Sequence, residues 1–161
     1  MIRTYLILLL FFVSVSCSTN NDTDTEDLSE YTFFKIAENN SPTSESFILA
    51  LTDSSQIEHA RKIISDPDNT TDRIILAKIV AQNGLEDYQN IDVNNKIAWS
   101  WRIDEFIGFV FTTIEIYDGW PGYIEEDLQR WFQNTSDEPN SGIIGFWGFS
   151  VVEEIEANQL K

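Results

Sequence analysis

From Tyr31 onward the apolar positions recur at two spacings, every second residue in some stretches and every 3.6 in others. Tyr31 to Ala37 and Phe47 to Thr52 are β-rich runs separated by the turn-forming residues Glu38 to Ser44, which predicts two strands joined as a hairpin. Ser55-x-x-Glu58 reads as a capping box. The helix it opens carries Ile57, Ala60, Ile63 and Ile64 on one face and stops at Asp66-Pro67, with His59 on the side away from the apolar stripe. Ile74 to Gln82 is a third strand, with Ile75, Ala77, Ile79 and Ala81 on one face.

The most regular stretch is Lys96 to Asp104, in which Ile97, Trp99, Trp101 and Ile103 alternate with Ala98, Ser100, Arg102 and Asp104. It predicts a strand with its tryptophans inward. Phe109 to Tyr117 is apolar on both faces and predicts a central strand. Asp118 to Gly122 turns the chain, and Ile124, Leu128, Trp131 and Phe132 then recur at helical spacing behind Glu125, Glu126 and Asp127, whose charges suit a helix N-terminus. Asn134 to Gly142 reads as loop, and Phe146 to Ile155 as a last strand. The predicted order is β-β-α-β-β-β-α-β, an α+β sandwich with a mostly antiparallel sheet and two helices on one face.

The first thirty residues follow neither period. Arg3 precedes an uncharged apolar run from Tyr5 to Val13, then small residues, then Cys17, which is the pattern of a secretion signal and too short for a comfortable helical span. Val13-Ser14-Val15-Ser16-Cys17 resembles the lipobox of bacterial lipoproteins, with Ser14 where that family usually has an aliphatic residue. The resemblance implies lipidation at Cys17. Ser18 to Glu30 is polar and carries Asp22, Asp24, Glu26, Asp27 and Glu30, which predicts an extended tether. An acidic run behind the lipidated Cys resembles the export signal of Bacteroidota-type lipoproteins and implies display at the outer membrane. Residues 1–16 are thus expected to be a signal peptide, 17–30 a tether and 31–161 one domain, held to a membrane by a lipid on Cys17.

Charge narrows the partners. The chain has ten Lys and Arg against 27 Asp and Glu, a net −17, so polyphosphates such as nucleic acid are repelled. One Cys and one His exclude a disulfide framework and a Cys/His catalytic pair within the chain. Asp22-x-Asp24-x-Glu26 lacks the glycine and the bidentate Glu of a calcium loop, so neither a metal site nor a cofactor is expected.

Two kinds of chemistry remain. Carboxylates could act in pairs, and Asp104 and Glu115 each close an otherwise apolar strand, where a structural hydrogen bond or a partner such as Arg102 is the expected role. Aromatic rings could instead stack on a ligand. Trp120, between Gly119 and Pro121 and close to Tyr117, Asp118 and Tyr123, is the candidate for a binding turn. The expectation is a non-catalytic binding module for a glycan or protein. A glycan-directed hydrolase using paired carboxylates is the alternative.

Ser41-Pro42-Thr43-Ser44-Glu45-Ser46-Phe47-Ile48, Leu51-Thr52-Asp53, Ile57-x-x-Ala60-Arg61, Trp99-Ser100-Trp101-Arg102-Ile103-Asp104, Ile114-Glu115-Ile116-Tyr117-Asp118 and Tyr123-Ile124-Glu125-Glu126-x-Leu128 occur in this order. Together they resemble the domain at the N-terminus of calmodulin-binding protein seventy-four. The resemblance implies a shared fold more than a mechanism. This chain has Ala98 where the family pattern has Pro, Arg102 where it has His, and Tyr117 where it has Cys. Calmodulin binding does not transfer: residues 31–161 hold 22 acidic and nine basic side chains, a net −13, and calmodulin takes basic amphipathic helices.

Overall fold

The structure, a computed structural model, describes residues 28–82, 88–111, 118–133 and 142–160. Cys17 and the rest of residues 1–27 lie outside the described residues, as do Glu115 and Tyr117. The chain is mostly antiparallel sheet with few helices, an α+β fold.

Strands β1 (Thr32–Glu38) and β2 (Ser41–Leu51) form the predicted hairpin, but the turn is shorter than expected. Asn39 and Asn40 alone make it, and the polar residues Pro42 to Glu45 are accommodated by a register shift, Glu38 pairing with Ser41 and Ala37 with Ser46. Helix α1 (Ser54–Ser65) follows. Its N-cap is Asp53 rather than Ser55: the Asp53 carboxylate accepts the backbone N–H groups of Ser55 and Gln56, each at 3.0 Å. The Ser55 hydroxyl and these amides hold Asp53 below the usual carboxylate range. Asp takes the cap because its carboxylate is an ionised acceptor at the positive end of the helix.

Strand β3 (Ile74–Ala81) matches its periodicity, with Ile75, Ala77 and Ile79 buried and Ala81 exposed. The segment after residue 87 differs from expectation. A two-stranded ribbon, β4 (Ile91–Asp92) and β5 (Ile97–Ala98), precedes one long strand, β6 (Trp101–Val110), where two separate strands were predicted. Trp99, Trp101 and Ile103 are buried as their alternation implied. Ile97 is 51% exposed because it belongs to the ribbon, not to β6. Phe109, near the end of β6, stacks on His59 with ring centroids 5.0 Å apart, so His59 is half-buried rather than a free surface group. Its Nε2 donates to the Asp72 carbonyl at 2.7 Å.

The second predicted helix is two short ones, α2 (Pro121–Glu126) and α3 (Leu128–Gln133). Asp127 breaks it. Its extended φ of −148° ends α2, and its carboxylate accepts the Arg130 N–H at 3.2 Å, as a cap for α3 would. The last strand is likewise two, β7 (Ile143–Phe146) and β8 (Phe149–Ile155), joined by Trp147-Gly148.

That two-residue turn carries the chain between sheets. β8 pairs with β1 in the sheet β2-β1-β8, while β7 pairs with β3 in the sheet β6-β3-β7, so one expected sheet is two three-stranded sheets and a ribbon. The core joins them. Phe34, Ile36, Phe47, Leu49, Phe149 and Val151 from the first sheet meet Ile75, Ala77, Ile79, Trp101, Ile144 and Phe146 from the second. A smaller cluster, Phe33, Ile48, Ile155 and Leu160, covers the other face of the first sheet. Leu28, in a 3₁₀ turn over Leu28–Glu30, packs on it. The chain expected to be tether up to Glu30 is thus anchored two residues earlier, at its one apolar side chain. Arg61 on α1 grips Glu154 on β8 through two N–H donors at 2.8 Å, which holds the Glu154 carboxyl below its ordinary range.

Candidate functional site

The segment 118–123 reaches its position through backbone contacts that leave no room for side chains. Asp118 makes a parallel bridge to Gly145, and the Gly119 N–H donates to the Gly145 carbonyl at 2.8 Å. A Cβ on Gly119 would overlap Ile144 and the Phe146 ring, so only glycine allows this approach. Trp120 then caps α2 with extended backbone, and Pro121 opens the helix with the φ a first turn requires. Two glutamates hold α2 in place. Glu45 accepts the Gly122 N–H at 3.1 Å, and Glu125 accepts both the N–H and hydroxyl of Ser100 at 2.8 and 3.0 Å.

On this frame the aromatic residues divide by role. Trp120 was expected to stand exposed, but it is half-buried and packs on the core, its ring edge-on to Phe149 at 5.2 Å and 6.3 Å from Tyr123. Tyr123 is 63% exposed, and its carbonyl accepts Trp131 Nε1–H at 3.0 Å. Asp118 is exposed too. One of its oxygens accepts the Trp147 N–H at 3.1 Å, which ties the 118–123 segment to the β7–β8 turn. Trp147 is 41% exposed. The surface so built has two exposed rings, Tyr123 and Trp147, a half-buried Trp120 and a carboxylate fixed beside them.

Of the residues singled out in the sequence, Trp120, Asp118 and Tyr123 come together here, and Tyr117 lies outside the described residues. Asp104 is elsewhere, exposed on β6 with Arg102 at 3.5 Å, and Glu115 lies outside the described residues. Trp147 is the residue that periodicity missed. Its signal was the composition Gly145-Phe146-Trp147-Gly148-Phe149, in which glycine on both sides of the Phe-Trp pair marks a turn inside an apparently continuous strand.

Acid–base chemistry has little to work with at this surface. The buried carboxylate among the described residues is Asp92, and it is enclosed by donors: one oxygen accepts the Ser46 hydroxyl at 2.6 Å and the N–H groups of Asn94 and Asn95 at 3.0 and 3.2 Å, the other Asn95 Nδ2 at 2.7 Å. This locks a turn. A carboxylate so saturated is a structural acceptor rather than a proton donor. Among the described residues no three His, Cys, Asp or Glu side chains are grouped as a metal site would require.

The fold and this surface define an α+β domain that offers an aromatic face rather than a catalytic cleft. A family model for the N-terminal domain of calmodulin-binding protein seventy-four matches residues 30–158, and the chain belongs to that family. Comparison with curated proteins and with solved structures finds no match.

Proposed function

We propose that this is a lipid-anchored envelope protein whose domain is a non-catalytic binding module, recognising a glycan or protein partner through Tyr123, Trp147 and Asp118. One observation carries the reading: two exposed aromatic rings flank a carboxylate whose position is fixed by hydrogen bonding to the turn that bears one of the rings. Rings held on a rigid frame lose little entropy on binding, and a carboxylate oxygen beside them accepts ligand O–H or N–H groups. The net charge of −17 favours neutral or basic partners over nucleic acid and calmodulin.

Binding is tested on a glycan array and by capture from envelope extracts with the full chain. Trp147→Ala and Tyr123→Ala are each expected to lower retention about tenfold or more, as loss of an aromatic anchor does, at unchanged melting temperature. Retention equal to wild type in both variants would reject the aromatic face. Anchoring is tested separately by fractionation. Cys17→Ala should move the protein from the membrane fraction to the soluble one; a variant that stays membrane-bound at unaltered mobility rules the lipid out.

A further inference from the structure

A groove of about 800 Å³ runs between the β1–β2 turn, the end of α1 with its following loop, and β8, away from the aromatic face. Ile63, Ile64, Val151 and Val152 give it an apolar lining. Its polar side chains are unevenly engaged. Lys35 and Glu153 neutralise each other at 2.8 Å. Arg73 donates Nη1 to the Pro67 carbonyl at 2.8 Å, which steadies the guanidinium while its remaining donors have no acceptor among the described residues. Asp68 lines the same groove and pairs with neither Arg73 nor any other described cation.

Ser150 adds an independent signal. It is only 6% exposed and lines the groove, and its Oγ has no hydrogen-bond partner. A buried hydroxyl without a partner is uncommon, because its desolvation goes uncompensated until something supplies the bond.

One unpaired charge of each sign, an orphaned hydroxyl and an apolar lining together match a ligand that is itself zwitterionic with an apolar body. We infer that this groove binds a short apolar peptide with free termini, its carboxylate on Arg73, its ammonium facing Asp68, and its amide on the Ser150 hydroxyl. The volume is within the range of small-ligand pockets and is ample for a dipeptide. This site is independent of the aromatic face and stands or falls without it.

Calorimetric titration of the full chain with Leu-Leu, N-acetyl-Leu-Leu and Leu-Leu-amide tests it. Leu-Leu should bind saturably at millimolar concentration, and each blocked peptide, having lost one charge-assisted contact, about tenfold more weakly. Arg73→Gln should bind Leu-Leu and its amide alike, and Asp68→Asn should bind Leu-Leu and its acetylated form alike. Ser150→Ala should weaken Leu-Leu severalfold with a melting temperature equal to or above wild type. Absence of saturable binding, equal binding of the three peptides to wild type, or preserved discrimination in Arg73→Gln and Asp68→Asn overturns the inference. The peptide comparison on wild type decides even if a variant misfolds.

Discussion

Trp101→Ala should lower the unfolding free energy by about 3–5 kcal/mol, enough to leave a domain of this size largely unfolded at physiological temperature. Trp101 is buried where the two sheets meet. Its ring lies 6.0 Å from Trp99, 6.1 Å from Phe146 and 5.7 Å from Phe47, so truncation opens a cavity walled by rigid rings that cannot collapse into it. Its Nε1–H is buried without a partner, so the side chain contributes through shape and apolar area, not through a hydrogen bond. Trp101→Phe should accordingly cost much less, since it keeps most of the packing and removes an uncompensated donor. Chemical denaturation of both variants checks this. Equal losses would mean that the indole N–H, not the ring, is what the core requires.

Asp92→Ala should cost about 3 kcal/mol despite the small change in apolar packing. Asp92 is fully buried, and its removal strands the Ser46 hydroxyl and the Asn94 and Asn95 amides together. The same carboxylate ties the β4–β5 ribbon to β2, because Ser46 lies on β2 while Asn94 and Asn95 also donate to the Ser44 carbonyl at 3.1 and 3.2 Å. Asp92→Asn should fall between wild type and Ala, since its amide oxygen can still accept while its NH₂ opposes the Asn95 donor. Equilibrium unfolding of the three proteins measures the series. An Ala variant as stable as wild type would show that the ribbon is held by apolar contacts alone.

How far the sequence carried depends on which force shapes each element. Where burial on one face dominates, the alternation of Ile75, Ala77 and Ile79, or of Trp99, Trp101 and Ile103, reports the strand and its inward face directly. The same rule misleads where a polar contact ends an element inside an apolar run. Asp127 splits one helical stripe into two helices, and Trp147-Gly148 splits one β-rich run between two sheets. Neither break changes the hydrophobic pattern. Asp92 stayed hidden for a related reason, since its partners on β2 are nearly fifty residues away and no local spacing brings them together. At the candidate site, Asp118, Trp120 and Tyr123 were legible from turn chemistry. Trp120, however, turned out to be the wedge beneath the surface, because the neighbouring Gly119 draws the chain tight against β7.

The most direct measurement is therefore retention of a partner by the full chain, compared between the Tyr123→Ala/Trp147→Ala double variant and Trp120→Ala, with melting temperature recorded for each. Both rings of the double variant are exposed, while Trp120 packs edge-on against Phe149. The double variant is expected to melt like wild type and retain nothing, whereas Trp120→Ala should melt lower and lose retention with its fold. A double variant that retains its partner as wild type does would contradict binding through this face.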